Sequence, residues 1–375
     1  MSLQNNKQNN FPLPNNGRGQ GGGSLVLVLR FSAIGDVAMT VPVVKAVALA
    51  NPDVRFIMVS RPFAMDLFAD LPQNVECFAM DLKDTRYKGL FGLEHVYQDL
   101  RRYKPDMVAD LHDVLRTKYA RLRFRMAGIP VCSIDKQRKG RKALVRQENK
   151  LLVQQPTSFE KYAEVFRGLG LKTPPNLFQR EKLVNTPAGD KTNKNSSPWG
   201  TSGETSIGIA PFAAHKGKIY PLEKMEEVIQ YLNISHPELK IVLFGGGKKE
   251  IAVFEQWKAK FKNISFAGDT CKGFAQEMQL MKTLRCMVSM DSGNMHVASL
   301  TGTPVISVWG ATHPLAGFMG WGQSDDDVVQ VDLPCRPCSI YGNKPCLRDD
   351  YACMNQISPQ MIIRKVEKYI LPKRD

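Results

Sequence analysis

The sequence predicts an α/β protein with two domains, each built on a parallel β-sheet. At residues 25–50 and 286–309, an apolar run is followed by a loop of small and polar residues and then by a helix-like segment. Strand, loop, helix and strand in that order form the repeating unit of a parallel sheet. A chain of 375 residues is also too long for one ordinary domain and long enough for two.

The first of these segments begins the N-terminal domain. Residues 25–29 are all apolar, which is typical of a strand covered on both faces. Residues 32–36 then form a loop of small residues that ends in one carboxylate, Asp36, and an Ala/Val-rich helix follows. The sequence contains neither a G-x-G-x-x-G fingerprint nor a Walker A motif, so it supports neither a dinucleotide site nor a P-loop. Residues 54–60 and 106–114 predict further strands that end in polar loops.

Residues 101–150 carry ten of the fifteen net positive charges of the chain. Arg116, Arg121 and Arg125 recur at roughly helical spacing, which predicts an amphipathic helix with a cationic face, and residues 136–146 predict a flexible basic loop. This surface is either simply solvated or binds an anionic partner. Nucleic acid is disfavoured because no recognition module is present. A phosphorylated acceptor on an anionic membrane would gain about 1 kcal/mol of attraction for each nearby Lys or Arg.

The composition also divides the chain into domains and connecting segments. Residues 1–23 are rich in Asn, Gln and Gly and lack the apolar core of a signal peptide, so they predict a disordered tail. No apolar run approaches 18 residues, so we expect no transmembrane helix and a cytoplasmic protein. Polar residues 181–204 predict a linker between a first domain of residues 24–180 and a second of residues 205–355. Residues 356–375 form a C-terminal segment, in which residues 358–370, starting with Ser-Pro, predict a helix.

The second domain holds two loops suited to an anion. Residues 291–296, D-S-G-N-M-H, follow a buried strand and open a helix, where backbone N–H groups and the helix dipole favour a phosphate. Asp291 would repel phosphate, so we expect it to cap the helix or to hold a sugar hydroxyl. Lys216 and Lys218 lie in another short loop after the strand at 207–210, and two lysines suit a diphosphate as point charges.

Three motifs in this chain resemble those of glycosyltransferase family 9, the heptosyltransferases of lipopolysaccharide synthesis. They are RFSAIGDVAMTVP, APFAAHKGKIYP and MDSGNMHVASLTGTPVISVWGATHP. The resemblance implies a GT-B fold, in which two Rossmann-like domains face each other across a cleft and the last helix often returns to the first domain. It also implies a metal-independent, inverting transfer of a heptose or related sugar from an ADP-sugar to a lipopolysaccharide core or lipid A-type acceptor. No cofactor is expected besides this donor substrate.

The resemblance assigns roles to residues of both domains. Asp36 is expected to be the general base that activates an acceptor hydroxyl, and Lys218 is expected to contact the donor phosphates. The expected donor-binding residues are Lys216, Lys218, Asp291, Ser292, Gly293, Asn294 and His296. The expected acceptor-binding residues come instead from the basic charge of residues 101–150, and they are Arg116, Arg121, Arg138, Lys139 and Arg141. The expected partners are a nucleotide sugar, a phosphorylated lipid-linked saccharide and the anionic inner face of the inner membrane, on which the protein would be peripheral.

Several features leave alternatives open. A sugar-nucleotide epimerase on the same fold would need paired bases acting on the sugar, and no such constellation is visible. A non-catalytic basic binding protein is disfavoured by the intact Asp36. Residues 325–327 resemble a metal motif but predict a solvated acidic turn. The closely spaced Cys335, Cys338, Cys346 and Cys353 could hold structural zinc or form disulfides, although reduced thiols are favoured. No metal is expected in the cleft.

Overall fold

The computed structural model describes residues 23–175 and 205–371. The predicted linker and, apart from Gly23, the predicted N-terminal tail lie outside these residues. The first domain contains a five-stranded parallel sheet in the order β3-β2-β1-β4-β5. Its strands are β1 (Leu25–Leu29), β2 (Arg55–Ser60), β3 (Val75–Ala79), β4 (Met107–Asp110) and β5 (Val131–Ser133).

The central strand β1 is buried on both faces, as its apolar run predicts. Val26 and Val28 join one hydrophobic cluster, while Leu25, Leu27 and Leu29 join a second cluster on the opposite side of the sheet. Alternate side chains of a strand point to opposite faces, so one uninterrupted apolar run supplies both clusters. The helices that accompany this sheet are α1 (Ile34–Ala38), α2 (Thr40–Ala50), α3 (Gly89–Arg101), α4 (Leu115–Met126), α5 (Arg138–Leu144) and α6 (Ser158–Arg167).

The second domain contains a six-stranded parallel sheet in the order β11-β10-β9-β6-β7-β8. Its strands are β6 (Ser206–Ala210), β7 (Lys240–Leu243), β8 (Ile264–Phe266), β9 (Met287–Met290), β10 (Val305–Val308) and β11 (Val328–Val329). Its helices are α7 (Leu222–Ser235), α8 (Lys248–Lys260), α9 (Ala267–Thr270), α10 (Phe274–Met281), α11 (Gly293–Leu300), α12 (Ala352–Asn355) and α13 (Pro359–Ile370). Two parallel sheets with helices confirm the predicted α/β fold class.

The two domains meet along one edge of a cleft. Helix α1 of the first domain packs against α11 of the second. Farther along, the ring of Phe159 lies edge-on to Trp321, with centroids 4.9 Å apart. The Ser158 N–H donates to the Gly317 carbonyl at 3.0 Å. These contacts bring the loops that end β1 and β9 to the same cleft.

The C-terminal helix does not return to the first domain, contrary to the prediction. Helix α13 packs against α7 and β10, and it buries Ile362, Ile363 and Val366 in the core of the second domain. The acidic turn helps to hold it there: Asp327 is buried, and it accepts a hydrogen bond from Tyr369 and pairs with Lys368 at 3.2 Å. The apolar face of α13 is therefore buried within the second domain. The turn at residues 325–327, which was predicted to be solvated, instead has Asp327 buried against this helix.

The predicted flexible basic loop is also different in the structure. Residues Arg138–Leu144 form helix α5, which buries Leu144 and Arg141. The helix predicted over Arg116, Arg121 and Arg125 is confirmed as α4, but Arg121 pairs with Asp110 and Arg116 donates to the Tyr87 carbonyl, so these two do not form an open cationic face. Within residues 23–175 and 205–371, every helix is too short or too polar to cross a membrane.

Candidate active site

Asp36 lies in the first turn of α1, where the chain leaves β1. Its Oδ2 atom is 2.7 Å from Nη2 of Arg30, and the same oxygen accepts a 3.3 Å hydrogen bond from the Ala33 N–H. Arg30 is itself buried, and its Nη1 donates to the Leu111 carbonyl at 2.7 Å. Arg30 therefore orients the carboxylate, of which about a third (34%) remains open to the cleft.

His112 faces the same cleft from the loop after β4, and sequence reasoning did not single it out. Its Nε2 is 3.4 Å from Oγ of Ser32, and its Nδ1 is buried with no partner among the described residues. Burial and the charge of Arg30 lower the pKa of His112 to about 3, so the imidazole is neutral at neutral pH. Its position in D-L-H-D-V, just past a strand, is the signal that could have found it.

The loop that holds most of the expected donor-binding residues connects β9 to α11 in the second domain. Asp291 is buried, and its Oδ2 accepts from Nζ of Lys218 at 2.9 Å and from Oγ1 of Thr312 at 2.8 Å. Ser292 is the N-cap residue, and its side chain makes no capping hydrogen bond. Asp291 thus holds Lys218 instead of capping the helix. The first-turn N–H groups of a helix such as α11 have no acceptor within the helix and suit an anion.

The structure separates the two lysines of the middle motif. Lys218 points toward Asp291 and is largely covered, whereas Lys216 is exposed, with its Nζ 4.7 Å from the ring centroid of Tyr351. Of the two, only Lys218 lies beside the start of α11. The expected donor residues Asp291, Ser292, Gly293 and Asn294 share that corner of the second domain, and Lys216 does not reach it.

Two glycines allow α1 and α11 to touch. A β-carbon on Gly35 would lie 2.5 Å from Cδ2 of His296, and one on Gly293 would lie 2.5 Å from Cγ2 of Ile34. Real Cβ atoms do not approach other atoms so closely, so both positions require glycine. His296 is buried in this contact, and burial lowers its pKa to about 4, although the carboxylates of Asp291 and Asp36 oppose the shift. A neutral histidine therefore stands between the loops of the two carboxylates.

The structure brings one of the five expected acceptor residues into the cleft. Arg141 lines a cavity of about 220 Å³ together with Asp36. Arg121 is paired with Asp110 at 3.1 Å, and Arg116 donates to the Tyr87 carbonyl at 3.2 Å. Arg138 and Lys139 are exposed on α5 and do not line the cavity. Sequence reasoning missed other cavity-lining residues: Arg30, His112, Lys136, Lys161, Phe318 and Tyr341.

The four closely spaced cysteines line a second, small cavity of about 10 Å³. All eight cysteines of the chain are free thiols, so the disulfide alternative is wrong for this structure. Burial raises the pKa of Cys338 and raises that of Cys353 to about 11, so both thiols are protonated near neutral pH when no metal is bound. Within residues 23–175 and 205–371, no group of three or more His, Cys, Asp or Glu side chains is arranged to hold a metal ion.

Comparison with known proteins identifies the family of this chain. The model of glycosyltransferase family 9 (heptosyltransferase) matches residues 94–346, more than half of the chain. The chain belongs to glycosyltransferase family 9. It is therefore a glycosyltransferase, and the alternatives of an epimerase and a non-catalytic binding protein are set aside.

Individual members of the family agree with this assignment. The lipopolysaccharide core heptosyltransferase OpsX of Haemophilus influenzae is 24% identical over 298 residues, which cover 77% of this chain and 79% of OpsX. The E. coli heptosyltransferase WaaC with ADP aligns over 92% of this chain and 99% of its own, with a TM-score of 0.59 and 18% identity. A family 9 glycosyltransferase from Veillonella parvula aligns over 93% of this chain and 97% of its own, with a TM-score of 0.66 and 17% identity. These structures share the two-domain GT-B fold.

Proposed function

We propose that this protein transfers a heptose, or a related sugar, from an ADP-sugar to a lipopolysaccharide core or lipid A-type acceptor, by an inverting and metal-independent reaction. The observation that carries the proposal is the contact between α1 and α11, which holds the loop of Asp36 against the loop of Asp291, with which Lys218 of a neighbouring loop is paired. The first domain contributes a carboxylate for the acceptor, and the second domain contributes cationic and N–H groups for a diphosphate. OpsX is named as a lipopolysaccharide core enzyme, and WaaC was solved with ADP, which supports this choice of acceptor and donor.

In the proposed reaction, Asp36 acts on the acceptor. Its carboxylate accepts the proton of the acceptor hydroxyl as the hydroxyl oxygen forms a bond to the anomeric carbon. The hydrogen bond from the Ala33 N–H and the ion pair with Arg30 occupy Oδ2, which leaves Oδ1 as the proton acceptor. The neutral His112 nearby can accept or donate a hydrogen bond to the acceptor without adding charge.

The donor diphosphate is proposed to bind between Lys218 and the first turn of α11. As the bond from the anomeric carbon to the diphosphate oxygen breaks, its electron pair leaves with ADP, and the new negative charge is stabilised by Lys218 and by the N–H groups of Gly293 and Asn294. Asp291 keeps Lys218 in place before the donor arrives. His296, whose buried Nδ1 has no partner among the described residues, is available to the sugar or the phosphate.

This arrangement accounts for the proposed stereochemistry and metal independence. Attack from the Asp36 side and departure on the α11 side amount to a single displacement, which inverts the anomeric centre; the same logic governs inverting hydrolases. Lys218 and the helix N-terminus supply positive charge where a divalent cation would otherwise be needed. Transfer should therefore continue in EDTA.

The protein is proposed to work in the cytoplasm, peripherally on the inner face of the inner membrane. Three cationic side chains, Arg138, Lys139 and Lys142, are exposed on α5 of the first domain. An anionic lipid surface attracts such residues, and a lipid-linked acceptor would be presented from it.

The experiment that tests this function measures ADP formation from ADP-heptose with and without a lipopolysaccharide core acceptor. Acceptor-dependent release of ADP together with a heptosylated product supports the proposal. Turnover with other nucleotide sugars in preference to ADP-heptose would require a different donor.

A further inference from the structure

The cavity beside Asp36 contains two cations that have no anionic partner among residues 23–175 and 205–371. Lys161, on α6, is only 4% exposed, and its Nζ has no hydrogen-bond partner among the described residues. Arg141, on α5, is 9% exposed and donates from Nη1 to the Tyr341 hydroxyl at 2.8 Å, while its Nε has no partner. Within the described ranges, neither side chain forms an ion pair with a carboxylate. Both line the same cavity.

The other charges in the cavity do not compensate these two. Asp36 is engaged by Arg30 at 2.7 Å. Lys136 lies 3.7 Å from Asp113 and donates to the Asp113 carbonyl at 2.7 Å. The lining therefore has an excess of positive charge that the described residues leave unbalanced.

Aromatic side chains of the second domain cover these two cations. Nζ of Lys161 lies 5.8 Å from the ring centroid of Phe318, and the guanidinium of Arg141 lies 4.9 Å from the same centroid. Tyr341, which holds Arg141, also belongs to the second domain. The cations come from one domain and their aromatic cover from the other, so the cavity is complete only when the domains are together.

Burying an ammonium group without a partner is unfavourable, because the interior does not replace its hydration. Aromatic rings offset only part of that cost. Such a group is expected where a ligand supplies the missing charge, as in a functional site that sacrifices stability. An anion placed between Lys161 and Arg141 would satisfy both side chains and would lie beside the proposed base.

Resting on the proposed function, we propose that Lys161 and Arg141, under the cover of Phe318 and Tyr341, form a subsite for an anionic substituent of the acceptor sugar, either a carboxylate or a phosphate monoester. The subsite selects acceptors by that charge and positions the neighbouring hydroxyl at Asp36. Lys161 is a specificity-determining residue that takes no proton from the hydroxyl.

The first test measures anion binding and stability in the full-length protein saturated with ADP. Sulfate is titrated by calorimetry at constant ionic strength into wild type, Lys161→Met, Lys161→Gln and the control Lys45→Met, which alters an exposed lysine of α2. We expect both Lys161 variants to bind sulfate at least tenfold more weakly and to melt at a higher temperature, since they lose a buried unpaired charge. Lys45→Met should match wild type in both respects, and all four proteins should bind ADP equally.

The second test uses three methyl glycosides that carry a carboxylate, a phosphate monoester or a neutral hydroxymethyl group at the same position. For the anionic glycosides, Lys161→Met should raise KM at least tenfold with a smaller change in kcat, and for the neutral glycoside it should change neither. The arm with the larger change identifies the substituent. Equal sulfate affinity in wild type and both Lys161 variants, or an equal rise in KM for all three glycosides, would overturn the subsite. Failure of wild type to transfer any sugar, with sulfate binding intact, would instead overturn the proposed function.

Discussion

At the scale of single residues, the proposed transfer reaction depends first on Asp36. The carboxylate lies at the end of β1, is oriented by Arg30 and opens into the cleft. Asp36→Asn keeps the size of the side chain and removes its capacity to accept a proton. We expect kcat to fall by roughly 10²–10⁴, the usual worth of a general base, with ADP affinity unchanged.

The measurement for Asp36 is steady-state turnover beside calorimetric binding of ADP. Lys45→Met serves as the control, because Lys45 is exposed on α2 outside the cavity. Near wild-type turnover by Asp36→Asn would remove this residue from the mechanism and would leave the neutral His112, which lines the same cavity, as a candidate proton acceptor.

The pKa of Lys161 leads us to predict that the affinity for an anion depends on pH. Burial and the neighbouring charge of Arg141 lower this pKa to about 7, although Glu160, Asp36 and Asp135 oppose the shift. A bound anion favours the charged form, so anion affinity should fall as pH rises through 7. Sulfate keeps its charge over this range, which makes its affinity between pH 6 and 9 the appropriate measurement. An affinity independent of pH would show that Lys161 is not titrating beside the anion.

The lowered pKa of Lys161 also makes the free energy of unfolding depend on pH. The native state holds the Lys161 proton less tightly than the unfolded chain, whose pKa lies near the ordinary value of 10.5. The resulting penalty is complete below pH 7 and is relieved between pH 7 and about 10.5 as the unfolded state alone stays charged. Lys161→Met should therefore exceed wild type in free energy of unfolding most clearly below pH 7. Denaturant titrations at pH 6 and 9.5 would reveal an advantage that narrows with rising pH; a constant difference would contradict it.

At the scale of elements, the contact of α1 with α11 links the two halves of the site. Gly293→Ala would place a β-carbon 2.5 Å from Ile34, and Gly35→Ala would place one at the same distance from His296. Either change forces the neighbouring side chain, or the loop that carries it, to shift. Because displacements of about 1 Å can cost 10²-fold in rate, we expect kcat to fall by roughly 10–100-fold in both variants.

Turnover, calorimetric ADP binding and thermal melting would check the two alanine variants. Both variants should remain folded, and ADP affinity should change less than kcat. Unchanged turnover in both variants would mean that the α1–α11 contact does not set the distance between acceptor and donor.

We also predict that helix α5 contributes to binding of an anionic membrane. Arg138, Lys139 and Lys142 are exposed, whereas Arg141 is buried in the cavity, so only the first three can face lipid. Changing these three to Gln should weaken binding to anionic vesicles at low salt by at least severalfold, with ADP affinity unaffected, and the wild-type interaction should fade as salt screens it. The matched control changes Lys249, Lys260 and Lys262 of the second domain to Gln. Equal vesicle binding by the two triple variants would leave α5 as solvated surface.

The elements show where sequence patterns were sufficient. The apolar run of β1 predicts its bounds, because a strand covered on both faces leaves an uninterrupted signal. Helix α5 was predicted as a loop, because Lys, Arg and Gly dominate it and only its contacts reveal that Arg141 and Leu144 are buried.

Lys161 was not predicted as a site residue for a related reason. A lysine in the helix S-F-E-K-Y-A-E-V-F-R is typical of a solvated face, and only the packing of the second domain turns that face into a cavity wall.

At the scale of the whole molecule, the sequence motifs predict two domains and a cleft, and the parallel sheets and the family match confirm that architecture. The direction of α13 was not predictable, because an apolar stripe does not specify which domain it covers. The site needs both domains: Asp36, Arg141 and Lys161 come from the first, and Lys218 and the start of α11 come from the second. The proposed reaction therefore requires both domains to contact the same pair of substrates.

The most direct test of this account follows ADP release from ADP-heptose by the wild-type protein in EDTA, with and without a lipopolysaccharide core acceptor, and determines the anomeric configuration of the product by NMR. We predict that ADP forms only when acceptor is present, that EDTA leaves the rate unchanged, and that the configuration of the transferred heptose is inverted relative to the donor. Retention of configuration, or a strict requirement for Mg²⁺ or Mn²⁺, would contradict the single displacement between Asp36 and Lys218.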